Sequence, residues 1–311
     1  MEELPFSSQV IISSFSASKL YKNLIHTCTI SQPREPRSLS IMETQLCSQS
    51  DRPIVNQEKR DKVVDGLPAA FRLALPEATQ NYEQDSEWCV IDDGTGWQEL
   101  RLHDYDKVFR VPGLYEKLIQ EVLQCQSPAV VSDLLVKQLV GEGVDLSCVR
   151  VLDVGAGNGL VAEELRKRGI GKVVGVDIIA EAAQAAERDR PGIYEDYRVV
   201  DLRALGADAA ADMAGEGFDA LIAVAALGFG DMQPEAFKVA FNMVRQDGLV
   251  ALTIRDDFLS ESDTSGFAAL IGSIVSSGGL DELRELTYQH RLTTTGQPVY
   301  YHAIVARKRC P

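Results

Sequence analysis

Cysteine is sparse in this sequence and badly spaced for metal. Its six cysteines, Cys28, Cys47, Cys89, Cys125, Cys148 and Cys310, contain no C-x-x-C pair, and its four histidines, His26, His103, His290 and His302, contain no H-x-x-x-H pair. Neither a structural zinc nor a disulfide framework is expected, in keeping with a reducing compartment. Positive charge is also scarce. Lys and Arg number 31 against 46 Asp and Glu, a net charge of −15, and a nucleic-acid partner is not expected because phosphates require a basic surface. The dense basic run Arg166-Lys167-Arg168 ends a helical stretch, where cations favour the dipole. No apolar run reaches the roughly 18 residues that span a bilayer, so no membrane span is expected and the protein is read as soluble and cytoplasmic. What is present suffices for a large core: 45% of the 311 residues are hydrophobic, enough for one large domain or one domain plus an accessory piece.

The chain is organised around VRVLDVGAGNGL, residues 149–160. A Val- and Leu-rich run leads to Asp153. Gly155, Gly157 and Gly159 follow at alternate positions, and Ala162 to Leu165 then turns helical. This is a buried strand, a tight turn and a helix start, the opening of a βαβ unit. Glycine serves there by tolerating positive φ and by letting a ligand approach the backbone. A dinucleotide fingerprint, G-x-G-x-x-G, would place its third glycine at position 160, which is Leu160.

Further strands follow. KVVGVDII, residues 172–179, is a buried strand closed by Asp177, 18 residues after Gly159. In a doubly wound sheet ligands bind at the carboxyl ends of strands, and an acid there can accept from both ribose hydroxyls. Its plainer reading is a cap for the helix at 180–186. Tyr197 to Val200 is a short third strand ending in Asp201-Leu202. Phe218 to Ala226 is a fourth, Pro234 to Val244 a helix, and Gln246-Asp247-Gly248 turns into a fifth strand, Leu249 to Arg255. Asp256 and Asp257 at its tip read as solvated loop acids or as partners for a cationic amine. Leu280 to Leu286 is expected to be helical. Leu286 to Thr293 and Val299 to Lys308 are expected to pair as an antiparallel hairpin.

Together, D-x-G-x-G-x-G at 153–159, the strand-tip acids and the closing hairpin resemble the class I S-adenosylmethionine-dependent methyltransferases. The phrases FDALIAVAALGFG and GLVALTIRDD are similar to small metabolite methyltransferase-domain proteins of the Williams–Beuren-region and quinone-pathway types. The resemblance spans about 101–309 and implies a Rossmann-like α/β fold: a doubly wound seven-stranded sheet, mostly parallel, with a C-terminal antiparallel hairpin. It implies S-adenosylmethionine as cofactor, held by Tyr105, Asp153, Gly155, Ala156, Gly157, Gly159, Asp177, Ile178, Asp201, Leu202 and Ala223. Tyr105-Asp106 is similar to a pair that covers the methionine end, and Asp201 to an acid that accepts from the adenine amine. The chain lacks the [ND]-P-P-[YF] clamp of amino-adenine methyltransferases at 226–231, and no cysteine ends its fourth strand. His103, Tyr105 and Asp231 are the candidate catalytic groups, with no metal.

The expected acceptor is a small molecule, its identity and the oligomeric state left open. Two rivals stand beside this reading: an NAD(P)-dependent oxidoreductase on the same sheet, and a non-catalytic S-adenosylmethionine-binding protein. Three regions are expected. Residues 1–65 form a disordered or targeting leader, with nine serines and a net charge of +1 over 1–41 that give organellar import as the alternative location. Residues 66–140 hold a hairpin around Asp92-Asp93-Gly94-Thr95-Gly96 and a helical lid, and 141–311 form the methyltransferase domain.

Overall fold

The computed structural model describes residues 71–78 and 82–309; the leader expected over 1–65 lies outside them. Five strands carry the parallel part of the main sheet: β4 (Arg150–Val154), β5 (Lys172–Asp177), β6 (Asp196–Val199), β7 (Phe218–Ala223) and β8 (Val244–Ile254). β9 (Leu280–Leu292) and β10 (Pro298–Lys308) complete it in the order β6-β5-β4-β7-β8-β10-β9. β10 runs antiparallel to both β8 and β9. This is the doubly wound, seven-stranded sheet with a terminal hairpin that the sequence predicts.

The central strands read as unbroken Val, Leu and Ile because helices cover both faces. On one face α2 (Ser127–Gly141) and α3 (Leu160–Lys167) bury Val131, Leu135, Leu139 and Leu165 against Val151, Ile222 and Val305. α4 (Ala180–Asp189), α5 (Ala207–Gly215) and α6 (Pro234–Met243) complete the crossovers among β5, β6, β7 and β8. Chain order reverses between β4 and its neighbours β5 and β7. Their carboxyl ends therefore splay apart into the crevice where open α/β sheets take ligands.

A second, three-stranded antiparallel sheet of β1 (Arg72–Ala74), β2 (Trp88–Asp92) and β3 (Trp97–Arg101) contains the expected hairpin plus one more strand. It shares a core with the short helix α1 (Tyr105–Arg110) and a π-helical segment, Glu116–Val122: Cys89, Ile91, Leu100, Val108, Leu114 and Leu118 are all buried there. Trp88 meets Tyr82 edge-on, with ring centroids 6.2 Å apart, and the Arg72 guanidinium lies 5.1 Å over Trp97.

Several local expectations change. The stretch Leu280 to Leu286 is strand, the first half of β9, and the helix α7 (Phe267–Ser276) precedes it. LDELREL carries apolar residues at helical spacing, but pairing of its backbone with β10 decides the conformation. The turn at 246–248 is absorbed into β8, with Asp247 at φ 60° and a register shift against β7. The third strand begins one residue early, at Asp196.

One buried ion pair fastens the small sheet to the main one. Glu87, wholly buried, pairs with Arg291 of β9, itself 5% exposed, and accepts the Thr294 amide at 2.6 Å. Removing one partner of such a pair strands the other charge in a low-dielectric site. Glu87→Ala is expected to lose about 3–5 kcal/mol of stability, read as a lower urea midpoint of tryptophan fluorescence. Adding Arg291→Met should restore much of it; equal loss in the single and double variants would show that the pair is not what fastens the sheets.

Candidate active site

The loop after β4 is built for close backbone approach. Gly155, Gly157 and Gly159 all have positive φ, 71°, 53° and 89°. A Cβ on Gly155 would sit 2.7 Å from that of Ala226, and one on Gly159 would press Ile193 and Tyr194 at 3.2 Å. The first glycine thus lets the β4 and β7 tips approach each other. The third packs the start of α3 on the connection before β6. Gly157 is tied on both sides: its N–H donates to Asp177 Oδ2 at 2.9 Å, and its carbonyl accepts from the Tyr197 hydroxyl at 2.8 Å.

Asp177 ends β5 at the rim of the crevice. Its Oδ1 accepts the Ile179 N–H at 3.0 Å, so it shapes the turn into α4. Burial pushes its carboxyl above the usual range, against the backbone donors that favour the anion. Asp201 is gripped by Arg203 through the backbone N–H at 2.9 Å and the guanidinium at 2.7 Å, which holds its carboxyl low.

A cavity of about 270 Å³ lies over these strand tips. Tyr105, Gly155, Gly157, Asp177, Ile178, Asp201 and Leu202 line it, as does Asp231. Ile178 is 55% exposed, an apolar face left open at the rim. Asp153, Ala156, Gly159 and Ala223 lie outside the lining: Ala223 is wholly buried in β7, and Val224 and Ala225 reach the cavity instead. Asp153 sits behind the loop, its Oδ2 accepting from the Tyr194 hydroxyl at 2.9 Å.

A second cavity of about 40 Å³ adjoins the first. Tyr105, Tyr115, Ala225 and Asp231 line both. Its other walls include Gln84 and His103 from the N-terminal part, Phe229 from the loop after β7, and Arg291 and Tyr301 from the terminal hairpin. The three candidate catalytic residues meet here. Nδ1 of His103 lies 3.0 Å from the Asp231 carboxylate, and the His103 ring is 5.6 Å from those of both Tyr105 and Phe229. Burial and the charge of Asp231 raise the Tyr105 phenol well above its ordinary value.

The loop after β7 is strained where it borders both cavities. Ala225 and Phe229 each have φ 52°. The Ala225 N–H donates to buried Thr253 Oγ1 at 2.7 Å, and Phe229 is held between Phe258, centroids 4.8 Å apart, and the Arg255 guanidinium at 5.0 Å. Asp256 pairs with His302 at 2.6 Å and Asp257 with Arg255, and neither strand-tip acid lines either of these two cavities. Tyr194, Tyr197, Tyr115, Gln84, Thr253 and Arg291 carry no motif; only their folded positions mark them.

The sheet order and the glycine crossover define a class I methyltransferase fold. Residues 152–252 match the model of a family described as a methyltransferase domain. That match over 152–252 supports an S-adenosylmethionine-dependent methyltransferase over the oxidoreductase alternative. No curated protein matches the chain. Among solved structures it is similar to the magnesium protoporphyrin IX methyltransferase of Synechocystis PCC 6803 with bound S-adenosylmethionine (19% identity, TM-score 0.41, 58% of this chain and 79% of that one). A putative RNA methyltransferase from Pyrococcus horikoshii gives 17%, 0.42, 60% and 88%. An O-methyltransferase from Bacillus cereus in complex with S-adenosylhomocysteine gives 16%, 0.42, 58% and 80%.

The Asp177 carboxylate at the rim, the bare apolar face of Ile178 and the glycine-rich loop fit a nucleoside with a polar sugar and a flat base. Behind that loop, Asp153 generates a pH prediction. Burial holds its carboxyl up at about 7, whereas in the unfolded chain it ionises near about 4. Between those values the native state keeps a proton that the unfolded state has lost, so this group's contribution to stability falls as pH rises. Asp153→Asn should therefore gain stability relative to the parent as pH goes from about 4 to about 7, measured by urea unfolding. Parallel pH profiles for the two proteins would contradict it.

Proposed function

We propose that this methyltransferase acts on a small molecule bound in the second cavity, with the methyl donor in the first. The observation that carries this is their shared wall. Tyr105, Tyr115, Ala225 and Asp231 face both spaces, so donor and acceptor would meet at the β7 tip. The second space is narrow and walled by aromatic rings. This suits a compact acceptor better than a polymer, and the net charge of −15 also speaks against a nucleic-acid backbone. In this reading residues 66–140 are the lid, supplying Gln84, His103, Tyr105 and Tyr115 over the domain at 141–311. Residues 1–65 are read as a leader, and the enzyme works in the cytoplasm.

On the donor side, Asp177 accepts from the ribose hydroxyls, Ile178 packs on the base, and Asp201 with the Leu202 N–H reads the adenine edge. Gly155 and Gly157 leave room for the methionine portion, under Tyr105. Asp153, Ala156, Gly159 and Ala223 support this cradle from behind. The bound donor supplies an activated methyl group, and the protein's share is to position the acceptor and exclude water.

Calorimetric titration with S-adenosylmethionine tests the cradle. Hydrogen bonds to a charged acceptor contribute about 1.5–3 kcal/mol each, so Asp177→Ala should weaken binding roughly 10- to 100-fold. Unchanged affinity would refute the assignment. With isotopically labelled donor, label should enter small molecules; label confined to RNA or protein would refute the acceptor reading.

A further inference from the structure

The second cavity owes its smallness to one side chain, an inference that rests on the reading of that cavity as the acceptor site. Its volume is about 40 Å³. A buried water takes roughly 10–15 Å³ of such space, so the cavity admits about three water-sized groups. A phenyl ring does not fit; the end of an unbranched chain does. Phe229 is the wall that decides this. It lines the second cavity and not the first. Half-buried, it joins none of the apolar cores formed by the described residues, so its position serves the cavity more than the fold.

The ring is held from several sides. Gly228, Phe229 and Gly230 all have positive φ, 100°, 52° and 84°. Glycine reaches that region freely, whereas phenylalanine does so at a cost. Such a residue persists only where its surroundings over-determine it. Here they do. Phe258, from the turn after β8, meets the Phe229 ring edge-on at 4.8 Å. It also lies so close to the backbone that a Cβ on Gly228 would come within 2.2 Å of it. The Arg255 guanidinium is 5.0 Å over Phe229 and 5.8 Å over Phe258, within the reach of cation–π attraction. The His103 ring meets Phe229 edge-on at 5.6 Å.

Arg255 is anchored in turn. It pairs with Asp257 and donates to Gln84 Oε1 at 3.1 Å, and the Gln84 amide donates to the Tyr301 hydroxyl at 2.7 Å. The clamp on Phe229 thus runs from the loop after β8, through the N-terminal part, to the terminal hairpin.

We propose that Phe229 is the specificity-determining residue of the acceptor site, limiting the acceptor to an amine, alcohol or thiol at the end of a slender, unbranched aliphatic chain. Arg255 is its positioning residue. A ring beside the reacting atom would strike Phe229 before that atom reached the wall shared with the first cavity. The limit is one of shape, and it holds for a neutral and a cationic chain end alike.

The test uses the full chain, isotopically labelled S-adenosylmethionine and three probe pairs matched at the reacting atom: propylamine with benzylamine, propanol with benzyl alcohol, propanethiol with benzyl mercaptan. The parent should label a chain and not its ring partner. Phe229→Ala should raise the ring-to-chain ratio of kcat/KM roughly 10- to 200-fold, the range that a single methylene commands in a close-fitting pocket, or more. Arg255→Met should move that ratio in the same direction by a smaller factor, which loss of mere structural support would not do. Affinity for S-adenosylmethionine should stay within about twofold in Phe229→Ala, since the ring lies outside the donor cavity. Should that variant not fold, Phe229→Leu carries the comparison, with a smaller shift of the same sign. A readout independent of turnover is fluorine NMR of fluorobenzene with S-adenosylhomocysteine bound. Its signal should broaden with Phe229→Ala, which leaves a ring-sized space, and not with the parent. A ratio unmoved by Phe229→Ala, ring compounds labelled by the parent as readily as chains, or fluorobenzene bound equally by both proteins would each overturn the size limit while sparing the cavity. No label in the chain probes would also overturn it, and label confined to RNA or protein would sink the acceptor reading with it.

Discussion

The hydrogen bond from the Gly157 amide to the Asp177 carboxylate, 2.9 Å long, ties the loop after β4 to the tip of β5. Everything at the crevice is arranged around it. Only a residue without Cβ holds the φ of 53° there without strain. The Tyr197 hydroxyl secures the same residue from the other side, and Tyr194 anchors the strand behind it through Asp153. The cradle is thus a piece of backbone held rigid by three side chains. Rigidity of this kind removes the ordering cost that a flexible loop would incur on binding a ligand.

The first and second cavities were unequally legible in the sequence. The cradle, the strand-tip acids and the closing hairpin are local signals: an apolar run, alternate glycines, an acid at a strand end. Each survives in the fold, because short-range patterning and sheet position demand the same residues. The helix expected over 280–286 failed where that agreement broke down. Its spacing is helical, but the partner strand β10 offers a ladder of hydrogen bonds that local preference does not outweigh.

The second cavity has no such signature. His103, Tyr105 and Asp231 could be singled out by residue type, but nothing in the sequence says that 128 positions apart His103 and Asp231 lie within hydrogen-bonding distance. Arg291, Gln84 and Thr253 were invisible for the same reason. Thr253 in particular reads as an ordinary strand residue. Its role, holding the strained Ala225 amide at 2.7 Å, exists only once β7 and β8 are paired. Sites made by scattered loops on a regular scaffold are commonly of this sort.

The ion pair of Glu87 with Arg291 joins residues 204 apart. Loop-closure entropy makes so distant a contact among the last to be rewarded as a chain folds. The crevice over β4 and β5 draws on residues that leave the ribosome well before β9 does, whereas the narrower space beside it lacks a wall until the hairpin has docked. Nascent chains would thus close the larger crevice before the smaller space beside it has its walls.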